Sequence, residues 1–123
     1  MVLADSFYEW KTIDGKKQPY RFVMKSGEPF VMAGIYARDL DYHERFNFAI
    51  LTTNANAVMQ PIHDRMPVIL PLGREKQRLP HGGVPFFNSF PAELMTSYPV
   101  TPRMNKVSFN EHEAIAPIET VIG

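Results

Sequence analysis

The sequence predicts an α+β domain in which β-structure predominates, built from several short strands, two short helices and many turns. Three observations point that way. Eleven of 123 residues are proline, roughly twice the usual ~5%, which disfavours a helix bundle and suits short strands joined by fixed turns. The apolar residues fall in brief runs bounded by turn dipeptides rather than along a sustained helical stripe. A chain of 123 residues makes one domain, 1–123, able to bury about two-thirds of its unfolded surface.

Each element follows from its residues. Phe7-Tyr8-Glu9-Trp10 is aromatic-rich and reads as a strand. Asp14-Gly15 next supplies a dipeptide that tolerates positive φ at both places, and Tyr20 to Met24 returns as the partner strand, with Pro19 at its start. After the turn Ser26-Gly27-Glu28-Pro29, the apolar run Phe30 to Ala37 reads as one buried strand, with a bulge or a close backbone approach at Gly34. Asp39 to Glu44 is a polar connection, and Arg45 to Thr53 a further strand. Thr53 to Asn56 offers caps for a short helix through Met59, stopped by Pro61. Val68-Ile69-Leu70 is another buried strand. Residues 71 to 91 form a long loop rich in proline and glycine. Pro91 to Thr96 reads as a helix with proline in its first position. Val100 to Val107 and Ala114 to Ile118 read as closing strands, edge-like because of Pro102 and Pro117.

Composition excludes several classes. Thirteen basic residues cancel thirteen acidic ones, so the footprint of a strongly basic nucleic-acid binder is missing. Local clusters remain at Arg74, Lys76 and Arg78 and at Arg103 and Lys106, readable also as solvated loops. No apolar run approaches the ~20 residues that span a bilayer, and Met1 to Ser6 lacks a signal-peptide pattern, so a cytoplasmic setting and no membrane partner are expected. With no cysteine among these residues, disulfides, thiolate metal sites and a cysteine nucleophile are excluded within them.

No phosphate-binding glycine loop, His-Glu-x-x-His or Gly-x-Ser-x-Gly occurs. His43, His63, His81 and His112 lack ligand spacing, so no metal and no cofactor are expected. Two polar insertions stand out. Glu9 sits between Tyr8 and Trp10, and a carboxylate among aromatics loses hydration and suits acid–base work. The alternative is a solvated carboxylate paired with Lys11 or Lys25. His63, in His63-Asp64-Arg65 before a buried strand, is a candidate proton shuttle. Its alternative is a turn in which Asp64 caps amides and Arg65 pairs locally. Trp10, Phe86 and Phe87 are candidates to stack on bases or to fill a core.

Taken together these segments carry a resemblance. Ala4-Asp5-Ser6-Phe7-Tyr8-Glu9-Trp10 is similar to an A-D-G-F-Y-E-W segment, and Ile62-His63-Asp64-Arg65-Met66-Pro67-Val68-Ile69-Leu70 to I-H-D-R-M-P-V-I-L. Further similarity runs through Phe30 to Tyr36, Thr52 to Asn56, Pro91 to Met95 and Tyr98 to Asn105, then Glu113-Ala114-Ile115. In this order they resemble the SRAP family, the SOS-response-associated peptidases, whose members act at abasic sites in single-stranded DNA. The match corresponds to the C-terminal half to two-thirds of the family domain; residues 72 to 88 align least.

The resemblance implies a partial-barrel, mixed or antiparallel sheet, shortened at its N-terminus. In the family, an N-terminal cysteine condenses its α-amine with the opened sugar's aldehyde, and its thiol closes a thiazolidine, a stable protein–DNA crosslink. Position 2 here is Val2, and the family's N-A-R-x-E segment is also missing, so an inactive chain or one part of a split protein is expected. By the same resemblance Glu9 and His63 are the catalytic pair, Glu9 handling protons near the amine and sugar and His63 assisting ring-opening and crosslink reversal. Arg65 is placed to meet a phosphate, with Trp10 and Asn105 as further DNA contacts. The implied partners are abasic single-stranded DNA and either a complementing N-terminal fragment or a second copy, with nucleoid association if DNA is bound. The alternatives are a non-catalytic single-strand binder and a protein-interaction module.

Overall fold

The computed structural model describes residues 1–38, 46–70, 88–119 and 121. The polar connection at 39 to 44, most of the loop at 71 to 91, His43, His81, the Arg74 to Arg78 cluster, Phe86 and Phe87 lie outside them. In chain order the strands are β1 (Val2–Ala4), β2 (Phe7–Ile13), β3 (Lys16–Met24), β4 (Phe30–Met32), β5 (Gly34–Arg38), β6 (Phe46–Ile50), β7 (Thr52–Asn54), β8 (Arg65–Pro67), β9 (Ile69–Leu70) and β10 (Met95–Pro99). Short 3₁₀ helices occupy Ala92–Leu94, Pro102–Asn105 and His112–Ile115. Every strand pair is antiparallel. The sheets run β1-β4-β9, β10-β3-β2, β5-β6 and β7-β8, and no closed barrel forms among the described residues. None of the helices there is long and apolar enough to cross a membrane.

The β2–β3 hairpin forms as the dipeptide predicts. Ile13 pairs with Lys16, and Asp14 and Gly15 between them take φ of 49° and 75°, a turn whose twist matches that of the strands. The two three-stranded sheets meet through aromatic packing: Phe7 of β2 stacks on Phe22 of β3 at 4.9 Å and meets Phe30 of β4 edge-on at 6.2 Å. Met24, Met59, Met66, Ile69, Phe90 and Met95 complete the core. The sulfur-bearing side chains there are flexible enough to fill the gaps between unlike sheets.

Several elements differ from expectation. The run Phe30 to Ala37 breaks at Ala33, whose N–H donates to Val68 O and whose carbonyl accepts from Leu51 N, both at 2.9 Å. These bonds divert the chain from one sheet into another. Beyond the break, β5 is exposed rather than buried, and so is β6, because no layer covers them among the described residues. The strand expected to Thr53 likewise divides at Leu51 into β6 and β7.

The helix expected from Thr53 to Met59 is a succession of turns: Asn56 Oδ1 accepts from the N–H groups of Val58 and Met59, both at 3.1 Å, and Asn56 Nδ2 donates to Phe90 O at 2.7 Å. A side chain that satisfies these amides competes with helix propagation. The helix expected at Pro91 to Thr96 shrinks to Ala92–Leu94, because Met95 onward gains a five-residue register with β3. In place of the closing strands stand two 3₁₀ helices, the first capped by Thr101 Oγ1 accepting from Arg103 N at 3.2 Å.

The close approach expected at Gly34 is present. A Cβ there would lie 2.9 Å from Ala49 O, a backbone atom that cannot rotate away. Gly34→Ala is expected to cost about 1–3 kcal/mol through overpacking, read as a lower urea midpoint with an unchanged slope; an unchanged midpoint would show that β5 and β6 part easily.

A row of Tyr8, Arg21 and Tyr98 crosses β2, β3 and β10 and holds the segment after Asn105. Tyr8 Oη donates to Ala114 O at 3.0 Å and Tyr98 Oη to Ile115 O at 2.8 Å, while Arg103 pairs with Glu113 at 2.8 Å. Burial pushes the Tyr8 phenol above its ordinary value of 10.0, with the Arg21 guanidinium opposing the rise. The fold therefore holds this proton more tightly than the unfolded chain does. That stabilisation is complete below pH 10 and is lost as pH rises through the folded-state value. Tyr8→Phe should flatten the alkaline decline of the thermal midpoint, and parallel declines for both proteins would contradict the assignment.

Candidate active site

Glu9 and His63 reach one cleft from different parts of the fold. Glu9 lies on β2, an edge strand of its sheet, and its Oε1 accepts from the N–H of Trp10 at 3.0 Å. That bond orients the carboxylate along the strand, in place of an ion pair with Lys11 or Lys25. His63 follows the Asn56 turns, with its N–H donating to Met59 O at 3.0 Å. The two side chains share the wall of a depression of about 620 Å³, floored by Trp10 and Asn105. They also share a smaller hollow of about 270 Å³, bordered by Thr52 and Arg65. Edge-strand placement gives Glu9 access to solvent, and the turn before β8 carries His63 across to it.

The imidazole is held by the loop that carries it. Arg65 N donates to His63 Nδ1 at 3.1 Å, so in the neutral ring the proton belongs on Nε2. When the ring is doubly protonated, Nδ1 faces Asp64 Oδ1 at 3.4 Å and Arg65 O at 3.3 Å. One loop thus accommodates both states of the ring. No amide is capped by the Asp64 side chain among the described residues; its Oδ1 lies 3.4 Å from His63 Nδ1.

Arg65 is fixed by neutral acceptors. Its Nη1 donates to Asn54 Oδ1 and its Nη2 to Thr52 O, each at 2.9 Å. Neutral partners orient the guanidinium without cancelling its charge, which suits it to an anion at the cleft rim. Asn105 has a bridging position: Oδ1 accepts from Trp10 Nε1 at 2.7 Å, and Nδ2 donates to Lys17 O at 2.9 Å. The amide thereby clamps the Pro102–Asn105 helix to the β2–β3 hairpin and fixes the indole that lines the cleft.

Lys17, Thr52 and Asn54 are the site residues that sequence reasoning missed. The hairpin register carries a signal for Lys17, since it pairs Lys17 with Thr12, to whose Oγ1 Lys17 Nζ donates at 3.0 Å. A further hollow, about 830 Å³ and lined by Met24, Phe30, Ile69, Phe90 and Leu94 among others, shares no residue with this cleft. Lys25, Glu28 and Glu93 also line it, and among the described residues it holds no histidine. Among the described residues no three His, Asp or Glu side chains converge to hold a metal ion.

An edge carboxylate and a turn-borne imidazole thus line one cleft on a β-rich scaffold, with an oriented guanidinium bordering it. The SRAP family model, SOS response associated peptidase, matches residues 1–107, and the chain belongs to this family. It is 37% identical over 124 residues to the abasic site processing protein YoqW of Bacillus subtilis, covering 94% of this chain and 55% of that protein. It is 30% identical over 126 residues to the abasic site processing protein YedK of Escherichia coli, covering 96% and 57%. A crystal structure of a protein from Bacteroides thetaiotaomicron superposes with a TM-score of 0.80 at 28% identity, over 96% of this chain and 56% of that one. The chain thus spans about half the length of the curated relatives it matches.

Proposed function

We propose that this chain supplies the acid–base part of an SRAP site that captures abasic sites in single-stranded DNA. The observation that carries the reading is the joint presence of Glu9 and His63 in the walls of both hollows. Opening the abasic sugar moves one proton and breaks one bond. The hydroxyl on C1 loses its proton, the bond from C1 to the ring oxygen breaks, and that oxygen gains a proton, leaving an aldehyde. One group must accept while another donates, and a carboxylate and an imidazole lining the same hollows meet that demand. Arg65 holds the neighbouring phosphate, and Trp10 walls the sugar.

The covalent step needs an amine and a thiol. The amine condenses with the aldehyde and expels water, and the thiol then adds across the resulting C=N bond to close the thiazolidine. The 123 residues contain no cysteine, so this role falls to a cysteine-bearing SRAP portion outside them, joined to this chain or brought as a separate fragment. DNA held at Arg65 would place the chain at the nucleoid.

The test mixes the chain with an abasic single-stranded oligonucleotide, with and without the part of YoqW outside the matched stretch, and resolves products by denaturing mass spectrometry. Expected are no covalent adduct for the chain alone and an adduct, formed without borohydride, for the pair. An adduct with the chain alone, or none with a pair that associates, would overturn the reading. Non-covalent affinity for the same oligonucleotide should fall as salt rises, through neutralisation of phosphates.

A further inference from the structure

Trp10 is held at its backbone and at the tip of its ring. Across the hairpin it faces Pro19, which has no N–H and whose carbonyl turns away to accept from Val100 N at 3.1 Å. The Trp10 N–H is accepted instead by Glu9 Oε1, at 3.0 Å. At the far end of the side chain, Nε1 donates to Asn105 Oδ1 at 2.7 Å. One path of hydrogen bonds and covalent structure thus runs from the Asn105 amide, through the indole, to the carboxylate of the acid–base pair.

Asn105 is exposed, and water satisfies an exposed amide nearly as well as protein does. Its bonds therefore add little stability; what they add is geometry. An indole free to turn samples several rotamers on the picosecond-to-nanosecond scale. Held by its N–H, the ring keeps one placement in the wall of the hollow that Glu9 and His63 share. The Asn105 amide is committed at both ends within the protein, Oδ1 to the indole and Nδ2 to Lys17 O, so its role toward DNA is indirect. We propose that Asn105 is a positioning residue that acts through Trp10, fixing the indole as the wall that sets the abasic sugar beside Glu9 and His63. This rests on the preceding reading and deepens it. A loose ring leaves the sugar off its reactive geometry, so the loss falls on the rate of capture; affinity, to which Arg65 lends its charge, moves less.

The chain has a single tryptophan, so its emission reports this ring alone. In the full 123-residue chain, Asn105→Ala should lower the anisotropy of that emission and leave the thermal midpoint nearly unchanged. Asn105→Asp keeps an acceptor for the indole but offers Lys17 O no donor, and it should retain the parent anisotropy. Capture is then timed at saturating abasic oligonucleotide, with the chain complemented by the part of YoqW outside the matched stretch. Asn105→Ala should slow it about tenfold, and Asn105→Asp should stay within about threefold of the parent. In a Trp10→Phe background, Asn105→Ala should cost nothing further, because the bond it removes is already gone. Parent-like anisotropy or parent-like capture for Asn105→Ala would overturn the proposal. So would equal losses for the Ala and Asp variants, or an undiminished loss in the Trp10→Phe background. A lowered midpoint with parent-like capture would make Asn105 a structural clamp only. No adduct from the parent pair would overturn the preceding reading, and the anisotropies would still decide whether Asn105 holds the ring.

Discussion

Glu9→Gln and His63→Ala are each expected to slow covalent capture of abasic single-stranded DNA by about 10²–10⁴-fold in the complemented protein, the usual worth of a positioned acid or base. Non-covalent affinity at fixed salt should move little, because neither substitution removes the Arg65 charge. The double variant should fall well short of the product of the single losses, since both groups serve one proton transfer. Single-turnover adduct formation read by denaturing gel checks this. If His63 shares the role in reversal that the family resemblance implies, His63→Ala should leave the adduct longer-lived once formed. Full activity of Glu9→Gln would remove the carboxylate from the mechanism. Multiplicative losses would mean that the two groups act in separate steps.

Phe22→Ala is expected to lower stability by about 3–5 kcal/mol, much of the total for a domain whose ordinary range is about 5–15 kcal/mol. The ring is fully buried, stacked on Phe7, and sits in the strand that both neighbours of its sheet use for pairing. Its removal opens a cavity where the two three-stranded sheets meet. Phe48→Ala provides the contrast, because that ring is exposed in this chain, and its effect should stay within about 0.5 kcal/mol. Urea denaturation of both variants separates the cases; similar midpoints would show that the core is centred elsewhere.

What the sequence discloses tracks the range of the forces involved. Asp14-Gly15 acts within four residues, so the hairpin is legible without any tertiary knowledge. Gly34 signals a close approach because only the missing side chain explains a glycine in so apolar a run, yet the break at Ala33 depends on Val68 and Leu51, distant in sequence. Pro91 to Thr96 has local features that suit a helix, and from Met95 onward the edge offered by β3 overrides them. Gln18, in the second hairpin strand, is fully buried, its Nε2 donating to Val100 O at 2.9 Å. Nothing local signals that bond. The β5–β6 pair inverts the usual rule, since its apolar residues predict burial and are exposed.

For the site, the motifs around Glu9 and His63 were legible as a pair through their resemblance to one family. The bridging of Trp10 and Lys17 by Asn105, and the seating of Arg65 on Thr52 and Asn54, were not. Those contacts join elements whose proximity only folding establishes.

The central claim is that the carboxylate and the imidazole face one substrate. Because the chain has no cysteine, a Glu9→Cys, His63→Cys double variant carries two thiols and no others, and a short bis-maleimide reports their proximity by intact mass. The account predicts rapid addition of one bridging reagent per chain with no thiol left, while a Glu9→Cys, Leu94→Cys control takes up two reagents singly. Two single additions in the Glu9 and His63 pair, matching the control, would contradict a shared cleft.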